Sequence, residues 1–135
     1  MQCKCEEVEQ ISIFLENRAG VVADLCAHMT EREIDIRAIT VLDTIDIGTV
    51  RMVVDEPEKA KEALAAAGAA YVTVKCLAVE VPDRPGGFAN VARKLSLRGV
   101  NIEYIYASTL PGAEKAMGIF RVSDLERALT LNYDS

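Results

Sequence analysis

Glu16-Asn17-Arg18-Ala19-Gly20-Val21-Val22 lies without gaps on Pro82-Asp83-Arg84-Pro85-Gly86-Gly87-Phe88, a constant offset of 66 that carries residue 16 onto residue 82. The correspondence outlasts the loop. At the same offset Val22, Leu25, Cys26 and Met29 fall on Phe88, Val91, Ala92 and Leu95, the i, i+3, i+4, i+7 positions of one helix face. Asp35-Ile36 then falls on Asn101-Ile102. Two amphipathic helices resemble each other by default, so the shared loop before the helix and the shared strand start after it are what mark an internal repeat.

Working outward from the first loop, Ile11 to Leu15 reads as a strand and Val21 to Arg32 as a helix. Asp35 to Leu42 and Ile47 to Val54 are rich in β-branched residues, and Asp43, Thr44, Asp46 and Gly48 suit a hairpin between them. Asp55 as N-cap, Pro57 in the first turn, an apolar face of Ala60, Ala63, Leu64 and Ala67, and Gly68 as terminator predict a second helix. Tyr71 to Val81 is too long for one average strand; it reads as the last strand of the first copy passing directly into the first strand of the second.

The second copy repeats the order. A helix from Gly87 to Leu97 stops at Gly99, strands at Asn101 to Thr109 and Ala116 to Val122 are joined by Leu110-Pro111-Gly112, and Ser123, with Glu126 three residues on, caps a short helix through Leu129. Leu131-Asn132-Tyr133-Asp134-Ser135 is too short for a full fourth strand, so the second copy is expected to be truncated. That leaves a bare strand edge, to be covered by the unassigned N-terminal segment or by a second subunit. The expected fold is α+β: two βαββαβ units, at residues 11–76 and 77–135, each an antiparallel sheet with helices on one face.

Half of the 135 residues are apolar, enough to bury a core without staples. Four cysteines form no paired spacing, since Cys3 and Cys5 stand in a charged stretch and Cys26 and Cys76 in apolar periodic segments; a reducing compartment is expected. MQCKCEEVEQ has no apolar core for a signal peptide, and no run approaches the roughly 20 apolar residues that span a bilayer, so the expected location is the cytoplasm, away from membranes. A net charge of −6 works against phosphate-backbone attraction, which argues against nucleic acid.

A strand, a loop of the form polar-Arg-x-Gly, an amphipathic helix and an Asp/Asn-Ile strand start, found here twice, resembles the ACT family of regulatory ligand-binding domains. The residues are Glu16-Asn17-Arg18-Ala19-Gly20-Val21 with Asp35-Ile36, and Asp83-Arg84-Pro85-Gly86-Gly87-Phe88 with Asn101-Ile102. The arrangement is similar to stand-alone tandem ACT proteins, with units of the ferredoxin-like kind, from Ile11 to Leu129. The resemblance implies a non-catalytic regulatory protein that holds an amino acid or related small acid at its strand-to-helix loops, near the interface between units. It further implies a homodimer and a partner enzyme of amino-acid metabolism. The second loop, with Asp-Arg-Pro-Gly, is closer to the family pattern and is expected to be the working site if only one works.

The loop chemistry suits a zwitterion. Unpaired N–H groups at a helix start favour a carboxylate, and Gly20, Gly86 and Gly87 permit positive φ or close backbone approach. Asn17, Asp83, Asp35 and Asn101 offer side-chain oxygens to an ammonium group, with Arg18 and Arg84 as further contacts. Ala19 stands where Pro85 does, so the two sites are expected to differ.

An alternative is a small enzyme built as a ferredoxin-like dimeric barrel and acting on small acids. Its difficulty is that His28 is the sole histidine, which leaves no Ser/His/Asp or Cys/His set to assemble. No cofactor and no metal site is expected, because Cys3-x-Cys5 supplies two ligands only. RNA recognition on this strand order needs aromatic side chains on the central strands, and Tyr104 and Tyr106 alone do not make that pattern.

Overall fold

The computed structural model describes residues 3–43 and 47–134. Among these the chain forms β1 (Cys5–Glu16), α1 (Val21–Glu31), β2 (Ile36–Asp43), β3 (Ile47–Val54), α2 (Pro57–Ala66), β4 (Ala70–Pro82), α3 (Gly87–Leu97), β5 (Ile102–Ser108), β6 (Lys115–Val122) and α4 (Leu125–Leu129). Thr44 and Asp46, read above as part of a hairpin, lie outside the described residues. No helix among the described residues is long and apolar enough to cross a membrane.

The chain divides into two compact units, Glu9–Val74 and the union of Met1–Val8 with Lys75–Ser135. In the Glu9–Val74 unit the strand order is β2-β3-β1-β4. β1 and β3 are antiparallel, Ile11 opposite Met52 and Ile13 opposite Val50, so the apolar members of two alternating strands share one face. That face buries Leu25 and Met29 of α1 and Ala60, Ala63 and Leu64 of α2 in a single core. The period-2 pattern of the strands and the 3.6 pattern of the helices therefore meet on the same side of the sheet.

The second unit is built the same way from β1, β4, β6 and β5 in that order. Leu77 pairs with Phe120 and Val79 with Gly118, and the core unites Leu77, Val79 and Val81 with Val91, Leu95, Phe120 and Ala128. Both hairpins shift register at the same repeat position, between Ile36 and Ala38 and between Ile102 and Tyr104. The fourth strand comes from the start of the chain. Glu80 donates its backbone N–H to the carbonyl of Lys4 at 2.9 Å, and Cys3 is buried in this unit's core with Cys5 packed on it. The charged N-terminal stretch is thus strand, and it covers the edge that the sequence left bare. The closing residues Leu131–Asp134 form no strand; Tyr133 enters the core at 1% exposure.

Two capping assignments change. Asp55 accepts from the backbone N–H of Asp35 at 2.9 Å, and Ser123 accepts from that of Asn101 at 2.8 Å, so both residues fasten the start of a strand. The N-caps are Glu56, whose side chain makes no capping bond, and Asp124, whose carboxylate accepts from the N–H of Arg127. An N-cap and a strand latch both need a small side-chain oxygen beside a free N–H, which is why the sequence does not separate them.

Each first helix ends alike, Ile34 donating to Met29 and Val100 to Leu95, but Gly99 holds the left-handed position (φ +69°) that Glu33 holds at φ +55° in the other unit. Replacing Glu33 by Gly is expected to stabilise the Glu9–Val74 unit by about 1 kcal/mol, because a side chain in this conformation is strained. Chemical denaturation checks it, and a loss of stability contradicts it.

Candidate functional site

Both strand-to-helix loops have the same backbone. Gly20 (φ +90°, ψ −18°) and Gly86 (φ +91°, ψ −7°) stand at the N-caps of α1 and α3 in the left-handed conformation. In the first loop Arg18 N–H donates to Glu16 O, Val21 N–H to Arg18 O and Asp24 N–H to Gly20 O; in the second, Arg84 donates to Pro82, Gly87 to Arg84 and Asn90 to Gly86. Three matching hydrogen bonds at an offset of 66 make the loops one device used twice. Neither helix start has a side-chain cap, so the first-turn N–H groups that the loop itself does not use lie uncapped at the positive end of the helix dipole.

The glycines serve different ends. A Cβ on Gly20 or Gly86 would meet nothing within 4 Å, so these two are needed for their positive φ alone. A Cβ on Gly87 would lie 2.3 Å from the carbonyl oxygen of Pro82, so this glycine permits contact between α3 and the end of β4.

Asn17, Arg18 and Ala19 are exposed, Val21 is half-buried, and Arg18 Nε pairs with Glu16 at 2.9 Å. In the second loop Arg84 and Pro85 are exposed and Phe88 is 39% exposed. Asp83 is tied in more firmly than the sequence suggests, donating its N–H to Glu114 O at 2.9 Å and accepting from Thr109 Oγ1 at 3.3 Å. Those two hairpin residues, Thr109 and Glu114, carry no motif that would have announced them.

Asp35 and Asn101 are not beside the loops of their own units. Each follows an eleven-residue helix that starts at the loop, a rise of about 16 Å at ~1.5 Å per residue. There their carbonyls accept from the backbone N–H groups of Asp55 and Ser123, and their own N–H groups donate to those residues' side chains, while Ile36 and Ile102 pack against the two cores.

One feature beside the first loop carries no sequence motif. A groove of about 420 Å³ opens between α1 and α2, above the ends of β1 and β4. Its floor is apolar, with Leu25, Met29, Ala63 and Leu64 buried and Leu15 and Val21 half-buried; its rim carries Glu16, Arg18, Asp24 and His28, all exposed. The signal was present in the spacing: Asp24 and His28 are one turn apart and flank Leu25 and Met29, which puts two polar side chains at the border of the apolar stripe. His28 lies 4.0 Å from Glu31 and is otherwise solvent-facing.

The Cys3-x-Cys5 pair belongs to the folded second unit. Cys3 is buried, Cys5 is half-buried in β1, and burial pushes the Cys5 thiol up from its ordinary value, which keeps it protonated. Among the described residues no three His, Cys, Asp or Glu side chains come together as a metal site.

The sequence matches the family described as ACT domain pair over residues 6–132. No curated protein matches it. Among solved structures it is similar to protein BT0572 from Bacteroides thetaiotaomicron, at 29% identity and a TM-score of 0.86, covering 93% of this chain and 85% of that one. It also resembles the ligand-free regulatory subunit of aspartate kinase from Thermus thermophilus, at 18% identity and a TM-score of 0.71, over 96% and 93% of the two chains. Aspartokinase III of E. coli, in complex with lysine and aspartate, superposes at 11% identity and a TM-score of 0.61, over 94% of this chain and 31% of that one. At 18 and 11% identity, the two kinase likenesses are likenesses of fold.

Proposed function

Because the chain belongs to the ACT domain pair family, we propose that it is a non-catalytic regulator that binds a free amino acid or related small acid at its two strand-to-helix loops. The observation that carries this reading is the doubled loop geometry, with uncapped helix starts behind Gly20 and Gly86. A ligand carboxylate meets the first-turn N–H groups; Asn17 and Asp83 offer oxygens to its ammonium group, and Arg18 and Arg84 border the sites. Asp35 and Asn101 stand at the far end of the helix in each unit, so in this reading they reach a loop only from a second copy. That is the role we assign to a homodimer.

The partner is an enzyme of amino-acid metabolism in the cytoplasm, a reading supported by the regulatory subunits of aspartate kinase among the structural neighbours. The lysine and aspartate held by aspartokinase III support the ligand class.

A calorimetric screen of the twenty amino acids and simple carboxylic acids is expected to give at least one saturable ligand. At Gly20→Val and Gly86→Val the added Cβ meets nothing within 4 Å but a β-branched residue is forced into positive φ, and each is expected to weaken binding at its own loop tenfold or more. A screen without any ligand overturns the proposal.

A further inference from the structure

The two units treat the same helix face differently. In the second unit the end of the chain lies against α3: Asn90 Nδ2 donates to the carbonyl of Tyr133 at 3.2 Å, and Lys94 Nζ donates to the carbonyls of Asn132, at 2.8 Å, and Asp134. Beneath them the Tyr133 ring is buried, and its hydroxyl donates to Ala128 O at 2.7 Å. At the offset of 66, Asn90 and Lys94 correspond to Asp24 and His28. In the Glu9–Val74 unit those two residues border the open groove.

The chemistry of the wall is reversed. Where the second unit presents amide and ammonium donors to carbonyl oxygens, the first presents the Asp24 carboxylate, which makes no side-chain hydrogen bond or ion pair among the described residues. A strand of carbonyls like the chain's own end is repelled there; a donor is attracted. Arg18, also on the rim, has its Nε on Glu16, but both side chains are largely exposed, so the pair is weak and yields its guanidinium readily to another carboxylate. The volume, about 420 Å³, falls within the roughly 300–1,000 Å³ span of small-molecule pockets.

We infer that the groove between α1 and α2 binds an α-amino acid with a branched or aromatic side chain, its ammonium group on Asp24, its carboxylate on Arg18 and its side chain on Leu25, Met29 and Leu64. This rests on the amino-acid-binding reading above, narrows it to one ligand class and one unit, and moves the ammonium contact from Asn17 to Asp24 and the carboxylate contact from the helix-start N–H groups to Arg18. It also reverses the preference for the second loop that the sequence motif suggested.

The test uses the full chain with four probes: L-leucine, L-phenylalanine, phenethylamine, which lacks the carboxylate, and 3-phenylpropionate, which lacks the amine. Calorimetry is expected to show binding of at least one of the two amino acids, with phenethylamine bound more tightly than 3-phenylpropionate. Asp24→Asn should weaken binding roughly tenfold or more. Ala67→Phe, at an exposed position on the lip of the groove, should abolish binding without lowering Tm. Amino-acid binding that survives both substitutions overturns the groove and leaves the broader reading intact. Binding of phenethylamine alone, lost in both variants, upholds an amine-binding groove and overturns its assignment to an amino acid. Failure of all four probes overturns the inference, while the twenty-amino-acid screen decides the broader reading separately.

Discussion

Gly87→Ala is expected to cost the second unit about 3 kcal/mol, far more than the same change one residue earlier. The added Cβ would sit 2.3 Å from Pro82 O and 3.0 Å from Val81 Cγ1. Neither neighbour can yield cheaply. Pro82 is paired with Lys115 across the sheet and its carbonyl accepts from Arg84 at 2.9 Å, while Val81 is fully buried. The helix must therefore lift from the sheet and loosen the packing of Val91 and Leu95. Gly86→Ala meets only the strain of positive φ and is expected to cost about 1 kcal/mol. In the other unit the matching position is Val21, half-buried, so a side chain is accommodated there. Denaturant unfolding of the two alanine variants checks the contrast, and equal losses would contradict it.

Tyr133→Ala is expected to cost about 4 kcal/mol, the range for removing a fully buried aromatic ring. Tyr133→Phe keeps the ring, loses the 2.7 Å bond to Ala128 O, and is expected to cost about 1 kcal/mol. The hydroxyl also sets a pH dependence. Burial, with the nearby Cys5 adding a smaller electrostatic contribution, pushes Tyr133 up to about 12 from its ordinary value of 10.0. The unfolded chain then releases this proton before the folded one does, so the stability Tyr133 contributes is whole below pH ~10 and is lost as pH rises toward about 12. Tyr133→Phe should flatten that part of the stability curve. An unchanged slope would mean that the hydroxyl is not buried as described.

The repeat was legible because its signals are local. Arg18-x-Gly20 and Arg84-x-Gly86 specify a turn within a few residues, and the helices behind them repeat at i, i+3, i+4, i+7. The N-terminal strand was not, because Lys4, Glu6, Glu7 and Glu9 interrupt any apolar alternation and the strand is defined by a partner, Glu80, which lies 76 residues from Lys4. Tyr133 illustrates the same limit. Beside Asn132 and Asp134 it looks like the remnant of a strand, yet a helix of only five residues leaves core space that a returning aromatic fills. Of the site, the glycines and arginines stood out in the sequence, whereas the groove arises from α2, whose role beside α1 depends on tertiary packing.

The most direct test of the central claim is a ¹⁵N–¹H titration of the full chain with the amino acid that calorimetry selects. The account predicts saturable shifts at the amides of Gly20, Val21 and Val22 and along Asp24 to Met29, with the same midpoint as the calorimetric isotherm. Saturable shifts confined to residues away from both strand-to-helix loops, or no shifts at all, would contradict it.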